Sequence, residues 1–169
     1  MNHRNDDNHE EHEDHEEHED HETHEAHGES SSRPHGVRIS SPLSPEAELV
    51  MSQTIGSAIA VHRILGPGFI EKIYRKAMCI ELEARNLAYE KERCIRVTYR
   101  GVEIPGQRVD LIVEGLIVVE LKAVAPLDDV HKTQLISYLK TTGLRGGLLI
   151  NFRVPVLRDG IRRVVVWPS

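Results

Sequence analysis

The stretch LIVVELKAV, residues 116–124, decides how the chain is read. It is β-branched and aliphatic apart from Glu120 and Lys122. Side chains alternate across a strand, so those two share one face while Val119 and Leu121 take the other. A core strand should carry neither, because burying an unpaired charge is costly. Just upstream, RVDLIV (108–113) is a second β-branched strand, and Asp110 is the only charge within its VDLIV portion. Glu114-Gly115 between them is a hairpin signal. The centre of the fold is therefore a strand pair carrying an acid on one strand, and an acid and a base on the other.

On the N-terminal side, Ser44-Pro45-Glu46 reads as a helix start: an N-cap serine, proline at the first helical position and an acid in the first turn. AELVMSQTIGSAIAVHRIL follows, apolar at Leu49, Val50, Ile55, Ala58, Ile59 and Leu65 near a helical period, until Gly66-Pro67-Gly68 stops it. A second helix is expected from about Phe69 to Arg85, burying Phe69, Ile70, Ile73, Ala77 and Ile80, with Asn86 as its stop. CIRVTYR (94–100) alternates like a strand, and Arg100-Gly101 and Pro105-Gly106 read as turns. On the C-terminal side Pro126 breaks the chain, and Leu127 to Thr142 is helical up to Gly143. GGLLINF (146–152) is a buried strand and RRVVVW (162–167) a last one. The order ααβββαββ, with a sheet of about five strands, is an α/β or α+β sandwich in one domain.

A length of 169 residues supports one such core. Charge is divided unevenly. Residues 1–36 hold thirteen Asp/Glu against Arg4 and Arg33, a net of −11, whereas residues 37–169 hold nineteen Lys/Arg against fourteen acids, a net of +5. A basic body is compatible with polyanionic partners. His9, His12, His15, His18, His21, His24 and His27 recur every third residue among acids, with almost nothing to bury. Residues 1–43 are therefore expected to be a disordered His/Glu-rich tail and linker, with the domain spanning 44–169. Imidazoles at that spacing would align in an extended, three-per-turn conformation and hold Zn²⁺, Ni²⁺ or Cu²⁺ loosely, which makes metal sequestration one candidate function. A merely solvated acidic tail, or one that folds over the basic body, accounts for the same residues. Cys79 and Cys94 form neither a disulfide framework nor a zinc motif, and fit reduced thiols in a cytosolic protein. A polar N-terminus and no apolar run of membrane length lead to the expectation of a cytoplasmic protein without a membrane partner.

An ion pair at the sheet's edge, Glu120–Lys122 or Asp110–Lys122, would explain the charges in the strands structurally. The same residues also make a chemical set. Asp110, Glu120 and the backbone carbonyl of Leu121 are the oxygen ligands that Mg²⁺ or Mn²⁺ prefers. Lys122 beside them could orient or deprotonate a water and neutralise charge on a phosphorane-like transition state. Glu71 and Tyr74, at i and i+3, are expected on one face of the second helix, and Gln134 and Tyr138, at i and i+4, on one face of the third. Both helices would then turn a polar edge to a common point. Other polar residues have plainer readings: His62 and His131 as surface or capping side chains, Arg145, Arg153, Arg158, Arg162 and Arg163 as a basic group able to track a phosphate backbone or simply solvated, and Trp167 as packing.

Gly68-Phe69-Ile70-Glu71-Lys72-Ile73-Tyr74 resembles the signature of the GxxExxY family, and the agreement continues through VDLIVEG, VVELKAV, VHKTQLISYLKTTG and GLLINFRVPVLRDGIRRVVV. That family is similar to the PD-(D/E)XK nuclease superfamily. The resemblance implies a restriction-endonuclease-like three-layer core, a mixed sheet flanked by helices. It also implies an Mg²⁺-dependent nuclease acting on DNA or RNA. In that scheme Asp110 and Glu120 bind the metal, Glu71 is a further acidic ligand, Lys122 acts on the nucleophilic water, and Gln134 and Tyr138 (the QxxxY pair) position the lysine or a phosphate. Val109 stands where the superfamily name has proline. A catalytically inactive nucleic-acid-binding module of the same fold is the alternative.

The nuclease reading carries a geometric demand. A two-residue turn at Glu114-Gly115 would pair Val113 with Leu116, and so Asp110 with Val119, placing Asp110 and Glu120 on opposite faces. An odd-length connection, or a bulge near Asp110 or Glu120, is required to bring them together.

Overall fold

The computed structural model describes residues 41–167. The His-rich segment, and nearly all of the tail and linker assigned to residues 1–43, lie outside the described residues. The elements run α1 (Pro45–Leu65), α2 (Glu71–Ala84), β1 (Tyr89–Tyr99), β2 (Val102–Val113), β3 (Ile117–Lys122), α3 (Asp129–Thr142), β4 (Gly146–Asn151), α4 (Leu157–Gly160) and β5 (Ile161–Val165). The expected order gains one element: α4, a single turn, precedes the last strand. The sheet order is β1-β2-β3-β4-β5. β3 and β4 pair in parallel, joined through α3 as a parallel crossover requires, and every other neighbour is antiparallel.

The sheet separates two apolar layers. Leu111, Val113, Ile117, Val119, Leu121, Leu148 and Ile150 pack with α1 and α2, whereas Ile112, Val118 and Leu149 pack with Leu135, Tyr138 and Leu139 of α3. The resulting α/β fold has a mixed five-stranded sheet between helical layers, as a restriction-endonuclease-like core does.

α1 begins as expected, with the Ser44 hydroxyl accepting from the Ala47 N–H at 3.1 Å and Pro45 at the first position. Its buried face includes Val50, Met51, Ala58 and Val61, while Leu49 is exposed.

α2 departs from expectation. It starts at Glu71, and its buried residues are Tyr74, Met78 and Leu82; Phe69, Ile70, Ile73 and Ile80 are exposed. Two apolar stripes of helical period run along this segment, and the one that begins with Tyr74 faces the core. Burial of Tyr74 is made possible by its partners. Its hydroxyl donates to the Gly66 carbonyl at 2.7 Å and accepts from the Phe69 N–H at 3.1 Å, and its ring stacks on Phe152 at 4.3 Å between centroids.

Pro105-Gly106 is not a turn. Both residues lie inside β2, Pro105 opposite Arg96, and a register shift at Ile95/Arg96 absorbs the irregularity. β2 pairs with β3 only over residues 111–113, so a proline without a donor costs no second ladder there. Trp167, expected to pack, is exposed. No helix among the described residues is long and apolar enough to cross a membrane, and Cys79 and Cys94 are free thiols.

Candidate active site where β2 and β3 part

The geometric demand on the hairpin is met by its connection. Glu114 and Gly115 both have positive φ, 51° and 65°, and the Leu116 N–H closes the turn on the Val113 carbonyl at 2.9 Å. Leu116 then stays out of the ladder, so Val113 pairs with Ile117 and Leu111 with Val119. That one-residue shift puts Asp110 across from Glu120.

Regular pairing ends at this point. The Asp110 carboxylate takes the place of the next ladder bond: its Oδ2 accepts from the Leu121 N–H at 2.8 Å. On the other side of Asp110 the β1 register reaches Glu92, whose φ of 51° marks a second irregularity. The Lys122 carbonyl accepts from the Phe152 N–H at 2.8 Å on the β4 side. Strand alternation therefore turns both the N–H and the carbonyl of Leu121 toward Asp110.

Three acids converge electrostatically. Glu120 is 3% exposed. Its Oε1 accepts from the Lys122 ammonium at 2.6 Å, and its Oε2 is buried with no hydrogen-bond partner. Burial first, and then the nearby charges of Asp110 and Glu71, push its pKa up to about 7 despite the Lys122 bond. Glu71 is raised likewise, by burial and by Asp110. The Lys122 pKa rises as well, for a different reason: burial opposes its charge, but the Glu120 hydrogen bond and the surrounding carboxylates outweigh it. In this arrangement the ammonium is held in its charged form, in which it can donate hydrogen bonds and neutralise negative charge.

On α3, Gln134 and Tyr138 share one face. Gln134 Nε2 donates to the Tyr138 hydroxyl at 2.5 Å. Burial and the Glu120 charge raise the Tyr138 pKa, so the phenol keeps its own proton at neutral pH. His131 closes a capping box at the start of α3, its Nδ1 accepting from the Asp128 N–H at 3.2 Å. His62 is tied by Nε2 to the Val154 carbonyl at 2.9 Å, away from the acids.

The GxxExxY pair divides between two roles. Glu71 is half-buried at the site, whereas Tyr74 faces the core and never reaches it. The second α2 residue at the site is Arg75, which sequence reasoning missed. Its guanidinium bonds Asp110 Oδ1 at 2.7 Å and lies 3.7 Å from Glu71 and 3.4 Å from Glu92. The signal was present: Arg75 follows Glu71 at i+4, the spacing of a helical ion pair. Asn151 was missed as well. It lies opposite Lys122 on β4, and its amide both accepts from the Val124 N–H at 3.1 Å and donates to the Val124 carbonyl at 2.8 Å, clamping the end of β3.

Whether these residues suit a cation turns on Glu120. Among the described residues no three His, Cys, Asp or Glu side chains already converge as a cation cage, because Asp110 is held by Arg75 and Leu121, and Glu120 by Lys122. Yet a buried carboxylate oxygen without any partner, in a neighbourhood that raises two carboxylate pKa values, is an acceptor matched to a hard cation. Of the C-terminal arginines, Arg163 pairs with Glu48, and Arg162 bonds the Asp159 and Ile161 carbonyls.

A sequence model described as PD-(D/E)XK nuclease superfamily matches residues 48–164. No curated protein matches the chain. A solved structure described as "Crystal structure of SSO0001" is similar at 25% identity, over 72% of this chain and 59% of that one, with a TM-score of 0.40. The chain thus spans about three fifths of the length of that structure.

Proposed function

The chain belongs to the PD-(D/E)XK nuclease superfamily, and we propose that it is a divalent-metal-dependent nuclease cleaving phosphodiester bonds in DNA or RNA. The observation that carries the reading is the buried, half-satisfied Glu120 carboxylate, across the strand pair from Asp110 and bonded to Lys122. Asp110, Glu120 and the Leu121 carbonyl would hold Mg²⁺ or Mn²⁺, with Glu71 as a further acidic ligand. When bound, the cation supplies Lewis-acid stabilisation of the charge that develops on the phosphate.

The chain's own residues do the rest. Lys122, protonated and partly buried, donates to the attacking water and to the phosphoryl oxygens, countering charge as it builds. Gln134 fixes the Tyr138 hydroxyl from its acceptor side, which leaves the phenol proton free to hold a phosphate oxygen or the Glu120 carboxylate. Asn151 keeps the end of β3 rigid, and with it the spacing of Glu120 and Lys122.

One observation favours a second reading, a module that binds nucleic acid without cutting it. Both oxygens of Asp110 are already engaged, one by Arg75 and one by the Leu121 N–H. For a nuclease, a cation would have to share Asp110 with Arg75 and the Leu121 N–H or displace Arg75 from it.

The test is cleavage of labelled single-stranded DNA, duplex DNA and RNA by the full chain in Mg²⁺ or Mn²⁺, with EDTA and Lys122→Ala as controls. Cleavage that stops in both controls supports the nuclease. Binding without cleavage in either metal moves the chain to the second reading, and cleavage unchanged in Lys122→Ala removes this site from the reaction.

A further inference from the structure

A groove of about 600 Å³ runs between α2 and β1, lined among others by Lys72, Arg75, Lys76, Tyr89, Lys91 and Glu92. It opens on the site itself, since Arg75 and Glu92 are groove walls and Arg75 bonds Asp110 at 2.7 Å. From this groove we infer that the phosphate backbone of a nucleic-acid strand lies along it, held by Lys72, Lys76 and Lys91, and is thereby led to the acids at the end of β3. The inference rests on the nucleic-acid reading proposed above and adds the path that the strand takes.

The electrostatic argument is one of unspent charge. The acids lining the groove are engaged: Glu83 accepts from the Tyr89 hydroxyl at 2.5 Å, and Glu92 faces Arg75 and Arg108, each at 3.4 Å. Among the described residues, the three lysines make no ion pair and are exposed. Lys72 and Lys76 are one turn apart on α2, on the same stripe as Arg75 and Cys79, so both ammoniums reach the groove from one wall while Lys91 reaches it from the other. Two walls of free cations around an open trough suit a repeating anion better than a single small one. The C-terminal arginines cannot serve the same purpose as a set, because Arg163 and Arg162 are committed to Glu48 and to backbone carbonyls.

The decisive experiment is equilibrium binding of fluorescein-labelled single-stranded DNA, duplex DNA and RNA to the full chain in EDTA, across a salt series. Wild type is compared with Lys72→Ala/Lys76→Ala/Lys91→Ala and with Arg145→Ala/Arg158→Ala as a control for general basicity. Thermal melts check that each variant is folded. The triple variant should bind at least about tenfold more weakly at low salt. Its slope of log affinity against log salt should be shallower by about 2 on single strands or about 2.7 on duplex, three phosphate contacts in either case. The form of strand on which wild type shows this lysine-dependent slope is the one that the groove takes. The arginine variant should stay within about twofold of wild type. An unchanged slope in the triple variant, a larger loss from the arginine pair, or no binding by wild type would overturn the groove. Because no metal is present, a chain that binds with the lysine-dependent slope yet never cleaves supports the groove and overturns only the catalytic reading.

Discussion

Two regions of this molecule bury polar groups, and they treat them differently. Under the α1–α2 layer, Thr54, Ser57 and Tyr74 are fully buried, and each is satisfied locally: Thr54 donates to Val50, Ser57 to Gln53, and Tyr74 joins Gly66 and Phe69. At the end of β3, Glu120 is buried just as deeply but keeps one oxygen without a partner and a pKa near 7. The first arrangement is complete and serves packing. The second is incomplete, and its missing partner is what a ligand would bring. Buried polarity by itself therefore does not mark a site, and neither does a lone unsatisfied atom such as Gln107 Oε1; Glu120 stands out because its unpartnered oxygen goes with a raised pKa and a bond to Lys122.

Mutations can break or sharpen that contrast. The largest stability effect belongs to the satisfied region: Tyr74→Ala should lower unfolding free energy by about 3–5 kcal/mol, since it removes a fully buried ring stacked on Phe152. Chemical denaturation measures it, and a loss below 1 kcal/mol would show that the packing is not what it looks like. In the unsatisfied region the effect should fall on activity instead. Lys122→Ala should reduce cleavage by about 10²–10³-fold, with the melting temperature much less affected than by Tyr74→Ala.

Glu120→Gln comes next and should stabilise the metal-free chain, by about 1–3 kcal/mol above neutral pH, while abolishing cleavage. Between the ordinary carboxylate range and about 7 the folded chain keeps a proton on Glu120 that the unfolded chain gives up. Stability in EDTA should therefore fall as pH rises through that window and stay lower above it, and the glutamine variant should show a flatter profile. Equal pH profiles for the two proteins would refute the burial strain assigned to Glu120. Smallest of all, Thr54→Val removes a hydrogen bond made within its own helix and should change stability by no more than about 1 kcal/mol.

The same contrast explains what the sequence disclosed and what it withheld. The start of α1 was legible because Ser44-Pro45 is a local signal, and the ExK and QxxxY residues were legible because strand and helix periods fix which side chains share a face. What stayed hidden depends on choices among locally equivalent options. The Ile70/Ile73/Ile80 stripe and the Tyr74/Met78/Leu82 stripe of α2 both have helical period, and only tertiary packing decides between them. The register of the hairpin depends on whether Leu116 joins the ladder, which the dipeptide Glu114-Gly115 does not specify. The i,i+4 spacing ties Arg75 to Glu71 but says nothing of Asp110, and Asn151 acts on Val124; no spacing rule links either of those distant pairs.

The central claim is that the incomplete end of β3 is completed by a divalent cation. Thermal unfolding of full-length wild type and Glu120→Gln, each titrated with Mn²⁺ and Mg²⁺, tests it most directly, because any metal held elsewhere on the chain affects both proteins alike. The wild type should gain melting temperature with metal beyond any gain in the variant, as binding to the native state alone requires. An identical metal response in the two proteins would contradict the claim.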